Sequence, residues 1–150
     1  IGDGEGFCRW YRKYRRIDKV ELIHDINHEV NAETILEYVS KFPGVTQCFP
    51  FENKTLVFKV GNKAKEKIFA LLNIEDFKSV NLKCNPELSV QLRSEFEGVI
   101  PGWHMNKKHW NTVSPVPISD VPPKLFWELL HHSYSTVRNS LPVKVRKDLT

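Results

Sequence analysis

The spacing of apolar residues changes at Pro43-Gly44, and this change limits the folds open to the chain. Before it, apolar residues recur at helical intervals, at Ile35, Leu36, Val39 and Phe42. Asn31 precedes this stripe and is a residue type that caps helix N-termini. After it come three short runs typical of strands: Thr55–Val60, Ile68–Leu72 and Ser79–Cys84. A helix followed by closely spaced strands predicts an α+β domain.

The second half of the chain predicts two helices around a hairpin. Asn85-Pro86 starts a helix that runs to about Phe96. Residues 103–113 are interpreted as a β-hairpin that turns at Asn106-Lys107, which pairs Trp103 with Trp110. A last helix begins at Pro122-Pro123, with an apolar stripe at Leu125, Phe126, Leu129, Leu130, Tyr134 and Val137. The predicted order is α-β-β-β-α-β-β-α, with five strands.

The first thirty residues differ in character, so we divide the chain into an extension (1–30) and a domain (31–150). Aromatic residues recur in the extension at helical spacing, at Phe7, Trp10, Tyr11 and Tyr14. Basic residues fill positions between and after them, at Arg9, Arg12, Lys13, Arg15 and Arg16. Such a helix can contact nucleic acid, an anionic membrane or a partner. The interpretation that we favour is that its aromatic face covers the domain core.

Charge and cysteine content place the chain in a broad class. The net charge of +4 and the pI of about 9.0 give a mild basic bias, compatible with a polyanionic partner. Three widely spaced cysteines (Cys8, Cys48 and Cys84) fit neither a disulfide framework nor a zinc motif, which predicts free thiols in a reducing compartment. The sequence contains neither a bilayer-length apolar run nor a secretory leader, so we expect a cytoplasmic protein without membrane contact.

Six segments together resemble the MmcQ/YjbR-like family. They are FPGV (42–45), FPF (49–51), TLVFKVGNK (55–63), VNLKCNPE (80–87), PGWHMNKKHWNTV (101–113) and HHSYSTV (131–137). The resemblance implies a two-layer fold in which helices pack on an antiparallel sheet. It also implies a double-wing mode of binding to double-stranded DNA, with two hairpins as wings. This chain departs from the family pattern in its first thirty residues and in GNKAKEK (61–67), which lengthens the first wing.

The residues at the two predicted hairpin tips agree with a DNA-binding role. The first tip carries Lys63, Lys65 and Lys67 against a single acid, Glu66. The second carries Lys107 and Lys108, and Asn106 and Asn111 add amide donors beside them. Lysines release counterions near phosphates, and amides bind phosphates or base edges. The alternative is that these turn lysines are simply solvated. The arginines and the lysine of the extension are a further candidate contact.

Other functions find less support in the sequence. Trp103 and Trp110 could stack on bases, but two tryptophans on one strand face are more often core residues. His24 and His28 form only half of a metal site, so no metal or cofactor is expected. Because no nucleophile elbow, phosphate loop or paired-carboxylate site is present, we expect no enzymatic activity. The fold implied by the resemblance is also similar to that of secretion chaperones, so a protein-interaction module remains the alternative.

Overall fold

The computed structural model describes residues 29–49, 54–103 and 105–149, which contain four helices and six strands. The helices are α1 (Ala32–Val39), α2 (Pro86–Glu95), α3 (Pro123–Asn139) and α4 (Val143–Asp148). The strands are β1 (Val45–Cys48), β2 (Thr55–Gly61), β3 (Glu66–Asn73), β4 (Val80–Lys83), β5 (Val99–Pro101) and β6 (Trp110–Val113). Apart from Glu29 and Val30, the predicted N-terminal helical extension lies outside the described residues.

The strands form one antiparallel sheet in the order β1-β2-β3-β4-β6-β5. Apolar residues of α1, α2 and α3 join alternate residues of the strands in one core. The α+β prediction is confirmed, but the predicted number of five strands is wrong, because β1 adds a sixth. β1 has only four residues, and Thr46 and Gln47 in its middle are exposed. A strand of four residues at the edge of a sheet is too short to show the alternation of apolar and polar residues that identifies strands in a sequence.

Helix starts were the best-predicted features. The Asn31 side chain accepts the Thr34 N–H at 2.9 Å, and the Thr34 hydroxyl accepts the Asn31 N–H at 3.0 Å, which closes a capping box. Asn85 accepts the N–H groups of Glu87 and Leu88 at the start of α2. The six residues of the predicted stripe on α3 are all buried. Local hydrogen bonding and helical periodicity are therefore enough to fix these elements.

The predicted register of the last hairpin is wrong. Strand pairing joins Pro101 to Asn111, and the Gly102 N–H donates to the Trp110 carbonyl at 2.8 Å. A Cβ at residue 102 would lie 2.8 Å from that of Trp110, so glycine permits this close approach. The chain then turns through Asn106, whose carbonyl accepts the Trp110 N–H at 3.0 Å. Strand pairing thus ends at Gly102, and Trp103 has no place opposite Trp110.

This shift also changes which tryptophan is in the core. Trp103 is 71% exposed, and Trp110 is only half-buried. The expectation that Trp103 and Trp110 are core residues is therefore wrong. Among the three tryptophans that the structure describes, the buried indole is that of Trp127 on α3, which is 1% exposed. Trp127 packs on Tyr38 of α1, with ring centroids 4.9 Å apart.

A search of the described residues found no helix that is both long enough and apolar enough to cross a membrane.

Candidate nucleic-acid interface

Both basic loops lie at the same end of the sheet. Because each strand is antiparallel to its neighbours, β2, β4 and β5 run in one direction. Loop A (residues 62–65) follows β2, and loop B (residues 102–109) follows β5, so both leave the sheet at this end, here called the cationic end. The centres of the two hairpins are three strand spacings apart, about 14 Å. This separation is close to the width of the B-DNA major groove, about 12 Å.

Loop A is a tight turn built around Asn62. The Asn62 side-chain oxygen accepts the N–H groups of Ala64 and Lys65 at 2.9 and 3.1 Å, and its backbone N–H donates to the Lys65 carbonyl. Gly61 before it has a φ of 148°, and a Cβ there would lie 2.1 Å from the Lys65 carbonyl oxygen. Only glycine therefore fits at this position. The turn holds the exposed side chains of Lys63 and Lys65 beyond the end of the sheet.

Loop B is held by Arg93, in the last turn of α2. Its guanidinium donates to the carbonyls of Lys107 and Trp110 at 2.5 and 3.2 Å. Within the loop, the Asn106 side chain accepts the Lys108 N–H at 2.9 Å. The side chains of Asn106, Lys107 and Lys108 are exposed, although the Lys107 ammonium group also donates to the Gly102 carbonyl at 3.3 Å. The role of Arg93 was not predictable from the sequence, because it depends on how α2 packs against β6.

Asn111 does not belong to the candidate interface, which corrects the sequence prediction. Its side chain is 1% exposed and points toward α2. Its amide nitrogen donates to the Ser89 hydroxyl at 3.1 Å, and its oxygen accepts from Arg93 at 2.8 Å. Asn111 therefore fixes α2 to β6 from within the core and presents no group to a nucleic acid.

Lys67 is also committed to the fold. Its ammonium group donates to the carbonyl and the hydroxyl of Ser140 at 3.3 and 3.2 Å. Ser140 is the C-cap of α3, where a cation is favoured by the helix dipole. Of the seven predicted DNA contacts in the domain, five side chains are exposed: Lys63, Lys65, Asn106, Lys107 and Lys108. The proposed contacts of the extension (Arg9, Arg12, Lys13, Arg15 and Arg16) lie outside the described residues.

Two further cationic features at this end were missed from the sequence. Helix α4 lies beside loop A, because the Asn62 amide nitrogen donates to the Asp148 carboxylate at 2.7 Å. α4 carries the exposed residues Lys144 and Lys147. Lys83 ends β4, the strand between the two hairpins. The run VKVRKD was a usable signal for α4, but its six residues are too few to show helical periodicity.

The side chains of HHSYSTV (131–137) make contacts that hold the fold together, beginning at a bulge in β3. Pairing with β2 skips Phe69, which leaves its carbonyl free for another donor. The buried Ser133 hydroxyl donates to this carbonyl at 2.6 Å and accepts the Lys83 N–H at 2.8 Å. Ser133 thus joins β3 and β4 where their own pairing ends, directly below the cationic end.

The neighbours of Ser133 make similar connections. The Tyr134 hydroxyl donates to the Pro43 carbonyl at 2.5 Å, and His132 accepts the Asn85 N–H at 3.3 Å. Burial, followed by the charge of His131, lowers the pKa of His132 to about 4. His132 is therefore neutral near pH 7, as its acceptor role requires.

Replacing Ser133 with alanine is expected to lower the free energy of unfolding by about 1–3 kcal/mol, because it leaves the buried Phe69 carbonyl and the part-buried Lys83 N–H without this partner. Urea unfolding measures this change. Ser135→Ala, at a half-buried position on the same helix, is the matched control and should cost less. Equal losses in the two variants would show that Ser133 does not bridge the strands.

Stability should also depend on His132 in mild acid. Its pKa in the folded chain is below the usual histidine value of about 6.5, so the unfolded chain binds the proton more tightly. The stabilisation that neutral His132 contributes to the folded state is complete above about pH 6.5. It is lost as the pH falls toward 4, by at most about 1.4 kcal/mol per pH unit. Urea unfolding at pH 7 and pH 4.5 should show a smaller difference for His132→Gln than for the parent. An unchanged difference would mean that His132 does not titrate in this way.

The described residues contain no cluster of three or more histidine, cysteine or acidic side chains that could hold a metal ion. Cys84 is buried, and burial raises its pKa to about 11, so its thiol stays protonated. Thiolate is the form that attacks substrates and binds metals. Among the described residues, the exposed groups of loops A and B that could bind a polyanion are four lysines, the Asn106 amide and the Trp103 indole.

Comparison with known proteins gives consistent family matches. The family model YjbR matches residues 40–136. The protein YbdF of Escherichia coli O157:H7 is 32% identical over 116 residues, which cover 77% of this chain and 90% of that protein. The protein YjbR of Escherichia coli (strain K12) is 32% identical over 114 residues, which cover 75% of this chain and 92% of that protein.

Two crystal structures share the fold. The Deinococcus radiodurans protein DR2400, with the family-model domain DUF419, superposes with a TM-score of 0.72 at 35% identity, covering 79% of this chain and 87% of that one. A Pseudomonas syringae protein superposes with a TM-score of 0.58 at 26% identity, covering 72% of this chain and 99% of that one. The similarity therefore covers most of each of these proteins.

Proposed function

This chain belongs to the YjbR family, and on that premise we propose that the cationic end of its sheet binds double-stranded DNA. The observation that carries the proposal is the position of loops A and B at one end of a rigid sheet, about 14 Å apart. Each loop presents two exposed lysines: Lys63 and Lys65 in loop A, and Lys107 and Lys108 in loop B. This arrangement agrees with the double-wing mode that the family resemblance implies.

The contacts in this proposal are mainly to phosphates. Each loop lies against one edge of a groove, and its lysines replace counterions condensed on the backbone. Lys83 and the lysines of α4 add positive charge between and beside the loops. Asn111 is buried, which leaves Asn106 as the exposed amide of the predicted set. We therefore expect binding with little dependence on base sequence.

The proposed role is binding without catalysis. Three of the described groups that would be candidates for acid–base or nucleophilic chemistry are occupied by the fold. The Tyr134 hydroxyl is bonded to a backbone carbonyl, His132 accepts a backbone N–H, and the Cys84 thiol is buried. These commitments support a module that acts through its surface charge.

A protein-interaction module is the second candidate, and one observation favours it. β5 is an edge strand, and Ile100 on it is 49% exposed. Trp103 follows directly and is 71% exposed. An edge strand beside exposed apolar side chains is a surface to which an extended peptide can add as a further strand. In this alternative, loop B would contact a polypeptide.

Fluorescence anisotropy of a labelled duplex of about 20 base pairs, titrated with the intact chain, tests the proposal. Unlabelled duplexes of unrelated sequence should displace the labelled duplex equally well. Displacement by one sequence alone would contradict phosphate-dominated binding. Failure to bind any duplex at low salt would reject the DNA proposal and leave the edge strand as the better candidate.

A further inference from the structure

One face of the sheet lies away from the helices, and the last hairpin places a tryptophan on it. Side chains along a strand alternate between the two faces of a sheet. Asn111 of β6 points toward α2, where its amide contacts Ser89 and Arg93. Its neighbours Trp110 and Thr112 therefore point to the opposite face, here called the outer face. The indole of Trp110 is half-buried there.

Trp103 lies at the outer face beside Trp110. The Trp103 N–H donates to the Thr112 hydroxyl at 3.1 Å, which holds the backbone of residue 103 against this face. Gly102 precedes Trp103 and donates its N–H to the Trp110 carbonyl at 2.8 Å. Because residue 102 is glycine, no side chain at this position separates the two tryptophans. The Trp103 indole is 71% exposed, so the outer face presents an aromatic surface to solvent.

The charge around these tryptophans is positive. Lys83 of β4 is paired with Trp110, so its side chain is on the outer face beside the indole. Lys107 and Lys108 lie in the same hairpin and are exposed. The sequence has no acidic residue in β4 or in residues 99–113. These segments therefore combine aromatic rings with cations and contribute no negative charge.

Aromatic rings beside cations match the two parts of an unpaired nucleotide. A base stacks on an indole, and the phosphate that follows it binds a lysine. In a duplex the base faces are already stacked on one another, so a ligand for the indoles must contain unpaired bases. Aromatic side chains on an open sheet face bind single-stranded RNA in other folds. A peptide strand that adds to β5 would be held by backbone hydrogen bonds and would not require the lysines.

We propose that the outer face at Trp103 and Trp110 binds single-stranded nucleic acid. Bases stack on the two indoles, and phosphates contact Lys83 and the lysines of loop B. Such a site goes beyond duplex binding and does not rest on it, because a single strand requires neither loop A nor a groove of fixed width. The two sites share loop B and differ at Trp103, which a duplex bound through its phosphates does not need.

Fluorescence anisotropy with two labelled strands of about 12 nucleotides, titrated with the intact chain at low salt, tests this site. One strand is oligothymidine, and the other has the same phosphates but abasic sugars in place of thymidine. Because the phosphate contacts are equal in the two strands, stronger binding of oligothymidine, by at least about fivefold, reports base stacking. Oligouridine of the same length, compared in parallel, shows whether the site prefers RNA or DNA.

Replacing Trp103 with alanine should weaken oligothymidine binding by about five- to 150-fold, and should leave the affinities for the abasic strand and for a duplex unchanged. The position is largely exposed, so the variant is expected to fold. Trp103→Phe keeps an aromatic ring and should recover most of the loss. Phe49→Ala is the matched control, because Phe49 is 46% exposed and directly follows β1, at the other edge of the sheet.

Equal binding of the oligothymidine and abasic strands, or no binding of either, would overturn the proposal and leave Trp103 to the peptide surface at β5. An unchanged affinity in Trp103→Ala, or equal losses in Trp103→Ala and Trp103→Phe, would also overturn it. So would a concentration-dependent dimer in sedimentation that Trp103→Ala abolishes, since the indole would then contact a second copy. If oligothymidine binds as expected and no duplex binds, the single-stranded site stands and the proposal for loops A and B fails.

Discussion

Trp127→Ala is expected to lower the free energy of unfolding by about 3–5 kcal/mol, the usual cost of truncating a buried tryptophan. Trp127 is 1% exposed and joins two helices through its contact with Tyr38. It also packs edge to face on Phe126, with ring centroids 5.5 Å apart. Alanine would leave a cavity where α1 meets α3. Urea unfolding followed by circular dichroism measures the loss.

Trp103→Ala is the matched control for this prediction. It removes the same side chain from a position that is 71% exposed, so its effect should be within about 0.5 kcal/mol. A small loss at Trp127 together with a large loss at Trp103 would mean that the core has been assigned to the wrong indole. It would also favour the hairpin register that was predicted from the sequence, in which Trp103 pairs with Trp110.

Reversing the charge of loop B should produce the largest change in DNA binding. If the four exposed lysines of loops A and B each contact one phosphate, the log–log salt slope is about −3.6. The affinity of the parent chain then falls about 150-fold between 50 and 200 mM salt. Lys107→Glu with Lys108→Glu removes two contacts, so the corresponding fall should be only about 12-fold, from a weaker starting affinity. Anisotropy titrations at several salt concentrations measure both slopes.

Two lysines at the opposite end of the sheet provide a control of equal charge. Lys54 directly precedes β2, and Lys78 lies just before β4, so both are at the end away from loops A and B. Each is exposed in an ion pair, Lys54 with Glu75 and Lys78 with Asp76. Lys54→Glu with Lys78→Glu changes the net charge by the same amount and should leave the slope near its parent value. Similar weakening by both double variants would show that net charge, not the cationic end, determines binding.

Local signals in the sequence were sufficient for much of the fold. The caps at Asn31 and Asn85 depend on hydrogen bonds within four residues, and the stripe of α3 depends on helical periodicity. β1 and α4 were missed because four and six residues are too few to show a period. The register of β5 on β6 was predicted wrongly because it depends on the close approach at Gly102 and the turn at Asn106, which are tertiary features.

The candidate site was predictable only in part, for the same reason. Lysines near turns are usually exposed, and the four that lie in loops A and B are exposed. Asn111 is also a polar residue close to a predicted hairpin tip. In the observed register, which differs by one residue from the predicted one, its side chain contacts Ser89 and Arg93. The Lys67 ammonium group lies at the C-terminus of α3, where it contacts Ser140, a residue 73 positions later in the chain. Long-range packing determines whether such a side chain is exposed, and the spacing of residues in the sequence does not reveal that packing.

The salt dependence of duplex binding by the intact chain tests the DNA-binding proposal most directly. The proposal predicts a dissociation constant of about 10⁻⁴ to 10⁻⁶ M at physiological salt and a log–log slope of about −3.6, steeper if Lys83 or α4 also contacts phosphates. A slope near zero, or no binding at 50 mM salt, would contradict it.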